Sequence, residues 1–410
     1  MVSVDMRTRL DADVVLIDPV MFVADELPDL LRRNGHLAAQ GAALVGAKAL
    51  GIDVEGTCFT LVPTEHTIEL RGGTAGARVA VELDRNSFSD LVQDLQTPQT
   101  LATSLVTRLP MADHFRWLKW WPVLRAIIDA RPVHEPGDIG FCDRDGRPLD
   151  LGRRFTPDDD DAEMAHFLGE AGFLHLEGWW PAEMMAEISA DMDRALPGYR
   201  PDDDRSWWAT TGDGSNRCVR MRFFQEHSPA SHELLGDPRH ARIGALTDDG
   251  HVPRTRVHGE NAIEALVKPL DVVSGISDLP WHKDCSLGRH SYDCCAMTTG
   301  ISVTGADDRS GQLAVVAGSH RANVQPNFIH PYLDLPVVPL PTRAGDVTVH
   351  LSCTLHMSYA PVDRERRVMY TGFSLPGERG NTIGADLGSV RESAHHNVSQ
   401  TPAALQHSKV

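Results

Sequence analysis

In the stretch LPWHKDCSLGRH (279–290), His282 and Asp284 place an imidazole and a carboxylate two positions apart. On an extended strand, residues i and i+2 point to the same side, so both can reach one ion while Lys283 turns away. A neutral imidazole, a carboxylate and a second, distant imidazole form a set that leaves three positions open on one face of a metal. That geometry suits iron(II), which must also bind a co-substrate and dioxygen. The chain has 20 histidines, so an isolated His-x-Asp arises easily by chance. The bland alternative is two polar residues on the wet face of a strand.

Three further features would give the pair meaning: a second histidine on a later strand, a fixed cation for an anionic co-substrate, and a strand-rich setting. His290, His320, His330, His350 and His356 are the candidates for the second ligand. Arginine is the expected cation, because its planar fork matches a carboxylate in a way that lysine does not. The segment AGDVTVHLSCTLHMSYAPVDRERRVMYTGFSL (344–375) supplies all three features. His356 is followed by Ser358, by a turn at Ala360-Pro361, and by Arg366 and Arg367 on what reads as the returning strand. His350 has Ala360 and Pro361 at the equivalent offsets, so it reads as a packed residue or one supporting a ligand. His320, ending AGSH, reads as a turn residue and His290 as exposed. Trp281 reads as core or pocket wall.

In four blocks the sequence resembles the phytanoyl-CoA dioxygenase family of iron(II)/2-oxoglutarate oxygenases. These are FLGEAGFLHLEGWWPAEMMAEI, the WHKD box, SGQLAVVAGSHR, and GDVTVH with the following LHMS and RR, within residues 158–376. The resemblance implies that His282, Asp284 and His356 bind Fe(II), and that Arg367 and Ser358 hold the distal carboxylate of 2-oxoglutarate. Arg366 is the alternative anchor, since adjacent strand residues face opposite ways. The implied reaction consumes 2-oxoglutarate and O2 and hydroxylates, or otherwise oxidises, an unactivated C–H bond of a small lipophilic or natural-product substrate. Two departures matter: Lys283 stands where the family commonly has Gln, and Lys268 falls at the family's Lys-Pro pair with its role open. Asp284 is retained where related halogenases have a small residue, which favours hydroxylation. Arg220 and Arg222 in CVRMRFF are either substrate contacts or surface charges. A zinc hydrolase could use the same three ligands, but the paired arginines would then have no task.

The elements that must position these residues are those of an α+β protein. Its 410 residues exceed the usual size of one hydrophobic core. Apolar content of 41% and charged content of 23% are those of a globular protein. The excess of acids, 57 against 39 basic residues, argues against nucleic acid and anionic membranes as partners. Seven cysteines without a CxxC fit neither a disulfide framework nor a zinc finger. No signal pattern or membrane-length apolar run is present, so a cytoplasmic setting is expected; the oligomeric state is not readable.

Residues 1–130 read as a small α/β domain. A helix over 26–50 stops at Gly51, strands follow at 58–63, 66–73 and 77–84, and a helix covers 87–95. Over residues 20–110 this order resembles sterol-carrier-protein-like domains, which implies an acyl-carrier or lipid partner. The competing readings are an unrelated small domain, or a lipid-binding protein whose oxygenase fold is inactive. The Trp-rich stretch 114–128 reads as one amphipathic helix packed between domains. Residues 131–157 are the expected linker. Thr156 and Pro157 read as cap and first position of a helix whose first turn is DDDD. Residues 197–216 read as a long polar loop with two tryptophans. Residues 158–380 form the expected double-stranded β-helix (jelly-roll, cupin-like) domain with flanking helices, followed by a polar tail over 381–410.

Overall fold

The computed structural model describes residues 15–103, 109–201, 203–254, 262–275, 280–287, 296–325 and 333–375. The tail and the candidates His290 and His330 lie outside these residues. Among the described residues no helix is long and apolar enough to cross a membrane.

The first helical stretch runs Pro19–Met21, a π-helical turn Phe22–Glu26, then Leu27–Val45. It ends earlier than its apolar periodicity suggests. Gly46 takes φ 65° and donates its N–H back to the carbonyls of Ala42 and Ala43, a closure glycine accepts without steric cost. The chain then forms β1 (Leu50–Val54), of which only Leu50 falls within the helix expected from the sequence and for which no strand is expected. With β2 (Thr57–Pro63), β3 (Ile68–Gly72) and β4 (Val79–Leu83) it makes a sheet ordered β3-β2-β1-β4, in which β1 and β4 are parallel. The Trp-rich stretch is two helices, Met111–Leu118 and Trp120–Asp129. Trp117, Trp120 and Trp121 are buried, so this is core. Residues 131–157 hold no helix or named strand, yet they are anchored. Asn323 Nδ2 donates to the Pro122 and Arg131 carbonyls, both at 2.9 Å, and His134 Nε2 lies 3.0 Å from Asp334 Oδ1.

The next helix is Asp161–Ala171, capped by Asp160, whose carboxylate accepts from the N–H groups of Ala162 and Glu163. Thr156 is not the cap; its N–H and hydroxyl both donate to Asp159 in a preceding turn. Gly172 (φ 81°) ends the helix and leads into β5 (Phe173–Leu176), and the helix Ala182–Ala195 follows Pro181. The expected loop at 197–216 is instead largely a hairpin of β6 (Ser206–Thr211) and β7 (Asn216–Met221). Its Trp and Thr residues favour a strand, and Asp213 accepts from Ser215 N–H to close the turn.

The remaining strands are β8 (Val252–Pro253), β9 (Glu264–Lys268), β10 (Val272–Ser274), β11 (Ala296–Ser302), β12 (Leu313–Val316), β13 (Val337–Leu340), β14 (Val347–Leu351), β15 (His356–Ser358) and β16 (Arg366–Ser374). The large antiparallel sheet is ordered β10-β6-β7-β9-β16-β11-β14-β5, with β8 on the end of β16, and faces a small sheet β13-β12-β15. This is the expected jelly roll. The two faces of the large sheet differ in chemistry. Met221, Ala265, Met297, Val349, Met369 and Phe373 share one apolar core with Phe167, Met185 and Ile188 of the covering helices. The in-register sets Thr298–His350–Gly372 and Gly300–Thr348–Tyr370 put the polar alternates on the inner face, as does the pair Arg366–Lys268.

Two buried histidines make this packing acid-sensitive. Burial pushes His240 and His320 each down to about 4. Between that value and the ordinary 6.5 the unfolded chain binds more protons, so stability falls as pH drops through this window, by at most about 3 kcal/mol per site. Neither ring nitrogen of His240 has a hydrogen-bond partner among the described residues. His240→Leu is expected to match or exceed the wild-type thermal midpoint at pH 7 and to lose less of it at pH 4.5. An equal loss in both proteins would show that His240 is not a source of the sensitivity.

Candidate metal centre

His282 does not lie on a regular strand. It forms an isolated antiparallel bridge with His356, in which the N–H of His282 donates to His356 O at 3.0 Å and the N–H of His356 to His282 O at 2.9 Å. The chain then turns into a 3-10 segment, Asp284–Leu287. The i, i+2 strand geometry expected for His282 and Asp284 is thus replaced by a bridge followed by a turn, yet their side chains still converge. His282, Asp284 and His356 each offer a ligand atom, all within 4.8 Å of one another. Asp284 Oδ1 stands 3.5 Å from His282 Nε2 and 3.6 Å from His356 Nε2. Ligands on adjacent corners of an ion, each about 2.1 Å from it, would be roughly 3 Å apart, so a small contraction completes the set.

The hydrogen bonding prepares the donors. His282 Nδ1 faces Pro280 O at 2.7 Å and His356 Nδ1 faces Thr354 O at 2.9 Å. A carbonyl can only accept, so each Nδ1 carries the proton and each Nε2 presents its lone pair to the centre. Burial holds His356 well below the usual histidine range and therefore neutral. Enclosure by protein works against ionisation of Asp284, but the facing imidazoles of His356, His282 and His350 outweigh it and keep the carboxyl well below its ordinary value. A neutral imidazole at His356 and an ionised carboxylate at Asp284 are protonation states that metal ligation needs. The donor set fits iron(II).

The other expected site residues divide by strand parity. Arg366 is buried on the inner face, its Nη1 donating to Gly311 O at 2.6 Å and its Nη2 to the Tyr370 hydroxyl at 3.3 Å. Arg367 faces the other way, toward the helix Ala182–Ala195, where it pairs with Asp193 at 2.8 Å and donates to Ser189 O at 2.9 Å. Lys268 is paired in register with Arg366, and its Nζ donates to Ser358 Oγ and to Tyr359 O. Arg220 shares this inner face. Its guanidinium lies 3.9 Å over the Trp207 ring and 3.0 Å from Glu264. Arg222 sits at the strand end, bonded to Asp204 O at 2.8 Å. Trp281 packs at the edge of the cluster containing Val316, Val324 and Leu355.

Lys283 points away from the ligands. Fully buried, its ammonium donates to Ser319 O at 2.9 Å and Ala322 O at 3.4 Å. His320 is a turn residue, with its Nε2 at 2.9 Å from Gly169 O. His350 Nε2 lies 3.3 Å from Asp284 Oδ2. Sequence reasoning missed Arg254, Thr298 and Tyr370. Each reaches the site only through strand register, and no local motif marks them. Lys283→Met is expected to lower stability by about 1–3 kcal/mol, because it strips buried carbonyls of their donor. An unchanged denaturation midpoint would show that this ammonium does not hold the turn.

Residues 168–368 match the phytanoyl-CoA dioxygenase (PhyH) family. No curated protein matches the chain. Among solved structures it is similar to SnoN, the non-heme alpha ketoglutarate dependent epimerase from nogalamycin biosynthesis, at 22% identity and TM-score 0.40, covering 52% of this chain and 79% of that one. It is similar to AviO1 from Streptomyces viridochromogenes Tue57, at 23% identity and TM-score 0.43, covering 53% and 96%. It is also similar to EctD from S. alaskensis, solved with 2-oxoglutarate and 5-hydroxyectoine, at 19% identity and TM-score 0.43, covering 60% and 86%. The family match excludes residues 1–130 and lends nothing to the sterol-carrier-like reading of that region. Residues 168–368 belong to the phytanoyl-CoA dioxygenase family, and the protein is an Fe(II)/2-oxoglutarate-dependent oxygenase.

Proposed function

We propose that the protein oxidises an unactivated C–H bond of a small organic substrate, with His282, Asp284 and His356 as the iron ligands. In this reading Arg366, with Lys268 and Ser358, anchors the distal carboxylate of 2-oxoglutarate. The observation that carries the second assignment is the register pair Arg366–Lys268, two buried cations on neighbouring strands that face the same inner space. Like charges so placed repel in a poorly solvated interior, and an anion between them offsets that cost. Arg367, held outward by Asp193, has no such access.

When bound, iron(II) with 2-oxoglutarate and dioxygen supplies the oxidising power, while 2-oxoglutarate is converted to succinate and carbon dioxide. The chain's part is positional. The two imidazoles and the carboxylate would hold the ion from one side, leaving room for the reactants. Arg366 and Lys268 fix the co-substrate's remote end, which sets the direction of its metal-binding end. Retention of Asp284 supports hydroxylation over halogenation. Trp207 under Arg220, beside Glu264, gives the inner face a flat apolar surface next to polar groups. That surface suits a substrate with a lipophilic body and hydrogen-bonding substituents.

Anaerobic protein with iron(II) and 2-oxoglutarate is expected to show a weak visible charge-transfer band that His356→Ala abolishes. Arg366→Ala should weaken 2-oxoglutarate binding roughly 10- to 100-fold, the worth of a charged hydrogen-bond partner, and Arg367→Ala should leave it near wild type. A wild type without the band would overturn the metal assignment. The reverse ranking of the two arginines would overturn the anchor.

A further inference from the structure

A carboxylate can grip a metal with one oxygen or two, and only the first leaves three positions open. The surroundings of Asp284 distinguish its oxygens. Oδ1 faces the two imidazoles, at 3.5 and 3.6 Å. Oδ2 is turned to the inner face of the large sheet, where the Thr298 hydroxyl donates to it at 2.9 Å and His350 Nε2 lies at 3.3 Å.

The direction of the threonine bond is fixed from behind. Arg254 Nη2 donates to Thr298 Oγ1 at 3.2 Å. A guanidinium has no acceptor and a hydroxyl has one proton, so Thr298 accepts from Arg254 and gives its proton to Asp284. Room for this arrangement comes from Gly372, the in-register neighbour of Thr298 on β16. A Cβ there would stand 3.1 Å from Arg254 Cζ and 2.4 Å from Met297 O. His350 reaches Oδ2 as a donor when its proton is on Nε2, and its Nδ1 has no partner among the described residues.

We infer that Arg254, Thr298 and His350 are positioning residues that saturate Oδ2 of Asp284 and so hold the carboxylate to the metal through Oδ1 alone. Arg254 acts through Thr298. This rests on the metal-site reading above, and it adds that a three-residue support behind one ligand decides how that ligand binds.

The test is a titration of the full-length protein with Mn(II), an air-stable probe for the iron(II) site, read by the loss of free-ion paramagnetic resonance. Wild type should bind one ion, and Asp284→Ala none. Thr298→Val keeps the shape and deletes the hydroxyl, and should weaken binding roughly 10- to 100-fold, as expected for loss of a partner behind a ligand. Thr298→Ser should stay near wild type. Arg254→Met should weaken binding and Arg254→Lys should recover most of it, because an ammonium also donates. The double variant Arg254→Met/Thr298→Val should be no worse than Thr298→Val alone, the signature of one residue acting through the other. Unchanged affinity in Thr298→Val overturns the inference, as does additivity in the double variant. If Thr298→Val fails to fold, unchanged affinity in Arg254→Met does the same. A wild type that binds no Mn(II) overturns the metal-site reading instead.

Discussion

Because the peptide groups of His282 and His356 exchange hydrogen bonds in both directions, two imidazoles from distant parts of the chain stand side by side with ring centres 4.2 Å apart. The exchange is the close, paired contact of an antiparallel ladder. It adds His282, two residues before the 3-10 turn, to the edge of the small sheet, beside β15. The turn then swings Asp284 across to the large sheet, against Thr298 and His350. The centre is therefore a bridge between two sheets, with histidines from one side and a carboxylate braced on the other. Buried Lys283 keeps the segment between them in place by tying it to the turn after β12.

The large sheet solves a second problem, that of holding charge inside a folded chain. Its outer face carries apolar residues that pack under the helices. The inner face is polar, and it carries the cations Arg220, Lys268 and Arg366, several hydroxyls and an imidazole. Glycines at 300 and 372 leave space there. A Cβ at 300 would meet Thr348 Oγ1 at 2.8 Å, and one at 372 the Arg254 guanidinium. The division of labour between faces comes from the two-residue period of the strand.

Much of this was legible in residue types and spacing. The histidines, the aspartate and the paired arginines declare a chemistry, and alternating strands between turn residues declare a jelly roll. What the sequence hides is parity and closure. The choice between Arg366 and Arg367 depends on the register of β16 against β9, which no local pattern reports. The first helix was read too long because Ala-rich periodicity continues past Gly46, and only the left-handed conformation of that glycine reveals the end. The DDDD run reads as a first turn behind Thr156, whereas the structure caps the helix with Asp160, whose carboxylate satisfies two N–H groups at once. The tryptophan hairpin at β6 and β7 was mistaken for a loop because its flanks and turn are rich in Gly and Asp.

The neighbouring arginines at 366 and 367 have a consequence for how this sequence can change. One guanidinium serves the interior and the other ties the strand to a helix. A one-residue insertion or deletion in the turn before β16 would turn each toward the other's face. The interior would still receive an arginine and the helix would still meet one, and the next two residues, Val368 and Met369, are both apolar. The exchange cannot be absorbed further along the strand, because the same slip would move Gly372 and set a side chain where a Cβ stands 2.4 Å from Met297 O and 3.1 Å from the Arg254 guanidinium. The length of that turn is thus held by a glycine toward the far end of the strand and not by the two arginines at its start.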